Sequence, residues 1–206
     1  VSLLVKRALM LLALAGTGQL EAQSANRLGG SSAASPRLPP AAYKAPAPQT
    51  QWVYDAFSQH ILAASDWRVT FQDGEDRPGA LLGFFIPDNP TDPLKVTKGS
   101  LARLWPLTVG TATTLETSRG PLRWQWQFRV VDTERVVVPA GEFDTYVVEA
   151  TQSTLVAPAG GAATTITTYW YAPSVNAVVR LLSLRAVGPQ AGQRTRAQLM
   201  RIERPD

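Results

Sequence analysis

No cysteine occurs in the 206 residues. Its absence excludes thiol catalysis, thiolate metal sites and disulfides, and fits an exported protein that folds without cross-links. Histidine is almost missing as well: His60 stands alone, so a multi-histidine metal centre is impossible and a catalytic triad would have to use it. No G-x-S-x-G, H-E-x-x-H or S-x-x-K sequence is present, which leaves nucleophilic and zinc hydrolase readings without a starting point. There is also no dense basic run. The net charge is +4, and Arg123, Arg129, Arg194 and Arg196 alternate with apolar or polar neighbours, as on a solvated sheet face. No nucleic-acid partner is therefore expected, while contact with anionic lipid head groups stays open.

What is there begins with Lys6 and Arg7, followed by the apolar run Ala8-Leu-Met-Leu-Leu-Ala-Leu-Ala15. The run has secretory length and is too short to span a bilayer, so residues 1–25 read as a cleaved signal peptide rather than a transmembrane anchor. Ala22 or Ala25 would precede the cut. With no cysteine after the run, an acylated lipoprotein is excluded and a periplasmic or secreted product is expected. Residues 26–50 are rich in Ala, Pro, Ser and Gly and poor in branched apolar residues. They read as a disordered, polyproline-like tether, leaving residues 51–206 as a single domain.

Period-two patterning dominates that domain. From Leu122 to Val130 apolar residues fall at 122, 124, 126, 128 and 130, with only Arg and Gln between. One face of such a strand is buried and the other wet. Trp67 to Phe71 repeats this on a shorter span, and Gly79 to Pro87, with Leu81-Leu-Gly-Phe-Phe-Ile86, reads as one strand buried on both faces. Further strands are expected over 104–109, 111–116, 164–171, 177–185 and 194–202. Turn clusters separate them at 73–79, 87–93, 118–120 and 157–161. The fold class is all-β, or β with a minor helix: a strongly curved antiparallel sheet, half-barrel or barrel.

Two hairpins stand out. Val136 to Val138, the turn Pro139 to Glu142 and the return strand Phe143 to Ala150 form the first; Thr168-Tyr-Trp-Tyr-Ala-Pro173, a turn ending at Asn176 and Ala177-Val-Val-Arg180 form the second. Together they resemble the paired signature of a group of uncharacterised bacterial secreted proteins, V-P-A-G-x-F-D-x-x-x-V-E followed by T-Y-W-Y-A-P-x-x-x-x-V-V-R. Leu104-Trp-Pro-Leu-Thr-Val-Gly110 is similar to the step that opens the same sheet in that group. The group more often has Gly where this chain has Asn176, and Asn tolerates a left-handed backbone. The resemblance implies strands rather than a helix over Gln51 to Ser65. More remotely, the domain is similar to the half-barrel of lipoprotein carriers of the bacterial envelope, an analogy of fold alone.

The aromatics are the best lead to function. Trp124, Trp126 and Phe128 share a strand face, and Tyr169, Trp170 and Tyr171 lie on a strand nearby. On a curved sheet these six could line a groove for a lipid or a hydrophobic peptide, or simply form the core. Asp73, Glu75 and Asp76 could hold Ca²⁺ but lack a full ligand ladder, so an acidic turn is the default. Glu142, Asp144 and Glu149 are carboxylates without a partner across a cleft. The expectation is a non-enzymatic envelope binding module, with no cofactor and an unnamed partner. The alternatives are an envelope-polymer hydrolase working through loop carboxylates and a structural interaction domain. If export holds, the intact mass of protein recovered from a bacterial periplasm begins near residue 23 or 26; uncleaved chain in the cytoplasm would refute it.

Overall fold

The computed structural model describes residues 37–65, 67–73, 77–156 and 161–205. The signal-peptide span, residues 26–36 of the expected tether, and Glu75 and Asp76 of the acidic turn lie outside them. The unit spanning residues 34–206 is built on one antiparallel sheet of twelve strands. In chain order these are β1 (Gln51–Tyr54), β2 (Ser58–Ser65), β3 (Arg68–Asp73), β4 (Arg77–Leu82), β5 (Ile86–Asp88) and β6 (Lys95–Gly99). They continue with β7 (Ala112–Arg119), β8 (Leu122–Val138), β9 (Gly141–Val156), β10 (Thr164–Ala172), β11 (Ala177–Val187) and β12 (Arg194–Glu203).

The spatial order is β5-β4-β3-β2-β1-β12-β11-β10-β9-β8-β7-β6. Each strand pairs with its neighbour in sequence, and β1 with β12, so the meander would be a closed barrel if β5 paired with β6. It does not, and the sheet is an open one whose two edges are joined by the short link 89–94. At most about 3.3–3.6 Å per residue, that link keeps the strand ends within about 25 Å of each other. Asp88 completes the join. Its carboxylate, with the side chain 2% exposed, accepts hydrogen bonds from Arg68 of β3 at 2.6 Å and Arg119 of β7 at 3.1 Å. The same carboxylate accepts from the backbone N–H groups of Asn89 and Leu94, each at 2.8 Å.

The hairpin pattern is as the sequence implied in most places. Leu122 to Val130 alternates inward and outward, and the turn at Asn176 adopts the left-handed φ of 49°. Gln51 to Ser65 forms strands β1 and β2. Three expectations are corrected. The apolar run 79–87 is not one strand but a hairpin turned at Gly83 and Phe84, with φ of 57° and 72°. A left-handed Phe costs about 1–2 kcal/mol, which burial of the ring, about 1.5–3 kcal/mol, offsets. A side chain at Gly83 would collide with Leu101. Second, 104–109 is not a strand. Ser100 caps a 3-10 turn over Leu101–Leu104, and Leu107 makes only an isolated bridge with Ala41. The exposed edge strand β6 lies just upstream, where none was expected.

The third correction concerns the tether. From Leu38 the chain is strapped against the sheet instead of free. Leu38, Ala41 and Tyr43 pack on the core, and the Tyr146 hydroxyl donates to the Pro39 carbonyl. Ala41 and Leu107 exchange backbone bonds of 3.1 and 2.8 Å. Extended Pro-rich chain has no internal hydrogen bonds, so its polar groups are available to a neighbouring surface, and one aromatic suffices to anchor it. Tyr43 is that anchor, its ring centroid 4.4 Å from Trp67 and 5.4 Å from both Phe84 and Trp105.

Removing the Asp88 carboxylate should leave two half-exposed guanidinium groups and two backbone donors without their acceptor. Asp88→Ala is expected to cost about 2–3 kcal/mol in urea unfolding. A loss below about 0.5 kcal/mol, the level of an ordinary surface change, would show that the edges hold together without it.

Candidate functional site

The sheet curves far enough that the β4–β5 tip reaches strands half-way round. Phe85 lies 5.2 Å from Tyr169 of β10, 6.1 Å from Phe128 of β8 and 5.5 Å from Trp105, while Phe84 lies 5.2 Å from Tyr171. The Tyr169 hydroxyl donates to the Phe85 carbonyl at 2.7 Å, which pins the tip. Because Phe85 packs beside Phe128, the face left open between groove and core is filled at that point.

The six groove-or-core candidates therefore separate. Trp126 and Phe128 are closed core, 6% and 1% exposed, and the Trp126 indole N–H donates to Thr117 at 2.9 Å. Trp124 is half-buried against the same cluster. Tyr171 is fully buried. Trp170 points to the opposite face, as strand alternation requires. There its N–H donates to Glu134 at 2.7 Å, and the Arg180 guanidinium lies 4.0 Å over the ring while also donating to Glu134 at 3.2 Å. This is a cation–π pair buttressed by an ion pair on the outer surface. Of the six, Tyr169 borders an apolar opening.

That opening is a cavity of about 260 Å³ on the other side of Phe85. Trp52 and Tyr54 of β1, Phe71 of β3, Leu81 of β4, the Phe84–Phe85 tip, and Val178 and Leu181 of β11 supply apolar walls. Gln59 of β2, Thr167 of β10 and Ser183 of β11 add the polar lining side chains, the two hydroxyls 2.9 Å apart. The walls come from strands with inward alternation at Trp52/Tyr54 and Val69/Phe71, a signal present in the sequence. What the sequence could not show is that β1 to β4 face β10 and β11 across this space.

The tyrosine hydroxyls in the cavity are committed. Tyr54 donates to the Val178 carbonyl at 2.9 Å and Tyr169 to Phe85. Burial pushes both phenols well above their ordinary value of 10.0, and Tyr171, also buried, moves the same way with Tyr43 adding to it. All three stay neutral across the physiological range.

A wider and more polar cleft of about 560 Å³ lies where the strap meets the two signature turns, between Pro39, Lys44, Glu142, Tyr146 and Asn176. Its carboxylates are held by an exposed arginine: Arg135 donates to Asp144 at 2.8 Å and sits 3.4 Å from Glu142. Glu149 lies opposite Arg129 on the β8–β9 ladder. His60 faces away from the cavity, opposite Gln51 and in a shallow surface pocket with Glu203 and Arg204. Glu142 and Asp144 thus share one arginine on a single hairpin, and His60 lies in a separate pocket from both. Among the described residues no helix is long and apolar enough to cross a membrane.

Residues 87–190, from β5 through β11, match the family model described as Protein of unknown function (DUF3108). The match covers half of the chain. The chain belongs to the DUF3108 family. Both signature hairpins fall within the matched span, whereas β1 to β4, which build one wall of the cavity, precede it. Among solved structures, a Bacteroides fragilis protein provisionally named as exported, with a YmcC-like fold, is 17% identical, with a TM-score of 0.46. That similarity covers 80% of this chain and 100% of the other. A Parabacteroides distasonis protein provisionally named a lipoprotein is 14% identical with a TM-score of 0.44, covering 79% of this chain and 99% of its own. No curated protein matches.

The buried phenols make stability depend on alkaline pH with a definite sign. A raised folded-state pKa contributes stability that is fully present below the unfolded value of about 10 and is lost as the pH climbs through the folded value. Urea midpoints should accordingly not shift on account of these phenols between about pH 7 and 9 and should fall steeply above about pH 10, less so in Tyr54→Phe. Equal alkaline slopes in the two proteins would remove Tyr54 from this account.

Proposed function

We propose that this member of the DUF3108 family is an exported, non-enzymatic binding module that holds an apolar ligand in the cavity between β1–β4 and β10–β11. The cavity carries the proposal. It is partly open, lined by seven aromatic side chains besides aliphatic ones, and of a size that favours a small apolar body. A dry apolar cavity of about 150 Å³ already takes a benzene ring, so about 260 Å³ suits a short acyl chain or a larger ring system. Lys6, Arg7 and the apolar run after them support export. The ion-paired carboxylates at Arg135 and the outward placement of His60 support a binding role over hydrolysis. A lipid or the hydrophobic segment of a partner is the ligand class that such walls accept.

Native mass spectrometry of protein purified without detergent should show a co-purified apolar molecule. Ser183→Trp, which fills the cavity from its polar side, should abolish that adduct without loss of thermal stability. Trp126→Ala, in the closed core, should cost about 3–5 kcal/mol yet retain the adduct. A ligand-free wild-type spectrum, or an adduct that survives Ser183→Trp, would overturn the proposal.

A further inference from the structure

The cavity's charge inventory narrows the ligand further, on the reading that the cavity binds one. None of its fourteen lining residues is Lys, Arg, His, Asp or Glu. The two tyrosines bond to backbone carbonyls and carry no charge. A charged head group entering this space would give up its hydration without meeting a counter-ion, and burying an unpaired charge is far more costly than burying a hydrogen-bonded neutral group. Neutral polar partners are available. Gln59, 8% exposed, offers an amide that both donates and accepts, and Thr167 and Ser183 offer two hydroxyls side by side. All three belong to the lining, so a polar group placed among them lets an apolar body lie against Phe71, Phe85 and Tyr169.

We infer that the cavity takes an uncharged amphiphile, an apolar chain or ring bearing an alcohol, ester or amide, in preference to a fatty-acid anion or a cationic amphiphile of the same size. The neutral head group hydrogen-bonds to Gln59 and the Thr167–Ser183 pair, and the body fills the aromatic space behind them. Selectivity arises from the missing counter-charge rather than from a repulsive residue.

The test is displacement of the fluorescent apolar probe N-phenylnaphthylamine from the full chain at neutral pH. The competitors are decanol, methyl decanoate, decanoate and decyltrimethylammonium. Decanol and the ester should displace the probe at concentrations at least about tenfold below those needed for either ion. Gln59→Leu should weaken decanol by roughly tenfold while leaving the probe's own affinity within about twofold. Equal potency of decanoate and decanol would place the head group in water and overturn this inference while leaving the binding module standing. Failure of the probe to bind at all, or its undiminished binding to Ser183→Trp, would overturn the binding module and this inference with it.

Discussion

The structure depends on where the Phe84–Phe85 tip goes. A twelve-strand meander that closes through β1 and β12 but stops short of closing between β5 and β6 encloses more space than its own side chains fill. The tip enters that space from the edge. Phe84 reaches Trp52 and Tyr171, and Phe85 reaches Phe128 and Tyr169. Its backbone carbonyl receives the Tyr169 hydroxyl, so the plug is held by a buried hydrogen bond as well as by packing. The left-handed conformation at Phe84 is the local cost of turning the chain there, and it is offset by two fully buried rings.

Around the plug, the two open edges are linked by side chains and the strap rather than by a ladder of hydrogen bonds. Asp88 gathers arginines from β3 and β7 at the edge of the sheet, and the strap from Leu38 to Thr50 lays Tyr43 over Trp67, Phe84 and Trp105. Backbone bonds of 2.7 Å from Gln49 to Ile61 and 2.8 Å from Ile61 to Thr50 fix the strap's end. The open seam leaves β6 exposed along its length, and the lysines at 95 and 98 are the kind of residue that discourages a foreign strand from adding there. The span matched by the family contains both signature hairpins and Asp88. Arg68, the plug and the strap come from the chain before it.

The same plug explains why the open space is not where the aromatic clustering suggests. Trp126 and Phe128 stack 6.2 Å apart, and Phe85 packs against Phe128. The apolar cavity lies on the far side of Phe85, between Phe71, Leu81 and Leu181. A cavity made in this way has aromatic walls, few polar groups and no charged side chain in its lining.

Much of this was legible in the chain itself. Strict alternation over 122–130 marks β8 with its buried face, because side chains on a strand alternate sides whatever lies beyond. Turn chemistry at Pro139–Ala140 and at Asn176 sets both signature hairpins, since proline, glycine and asparagine restrict or permit backbone angles locally. Alternation also separates Trp170 from Tyr169 and Tyr171, although an aromatic triplet invites reading all three as one surface. Other features depend on contacts between residues far apart in sequence. Leu81 to Ile86 is equally consistent with a buried strand and with a hairpin tip, and only the presence of Leu101, Trp105 and Tyr169 around it makes the tip favourable. Residues 38–50 lack a core of their own, so composition reads them as tether; the groove that accepts Tyr43 is built by Trp67, Phe84 and Trp105. Local pattern determines which way a side chain points, whereas the curvature of the whole sheet decides what it meets, and therefore whether an aromatic face becomes core or cavity.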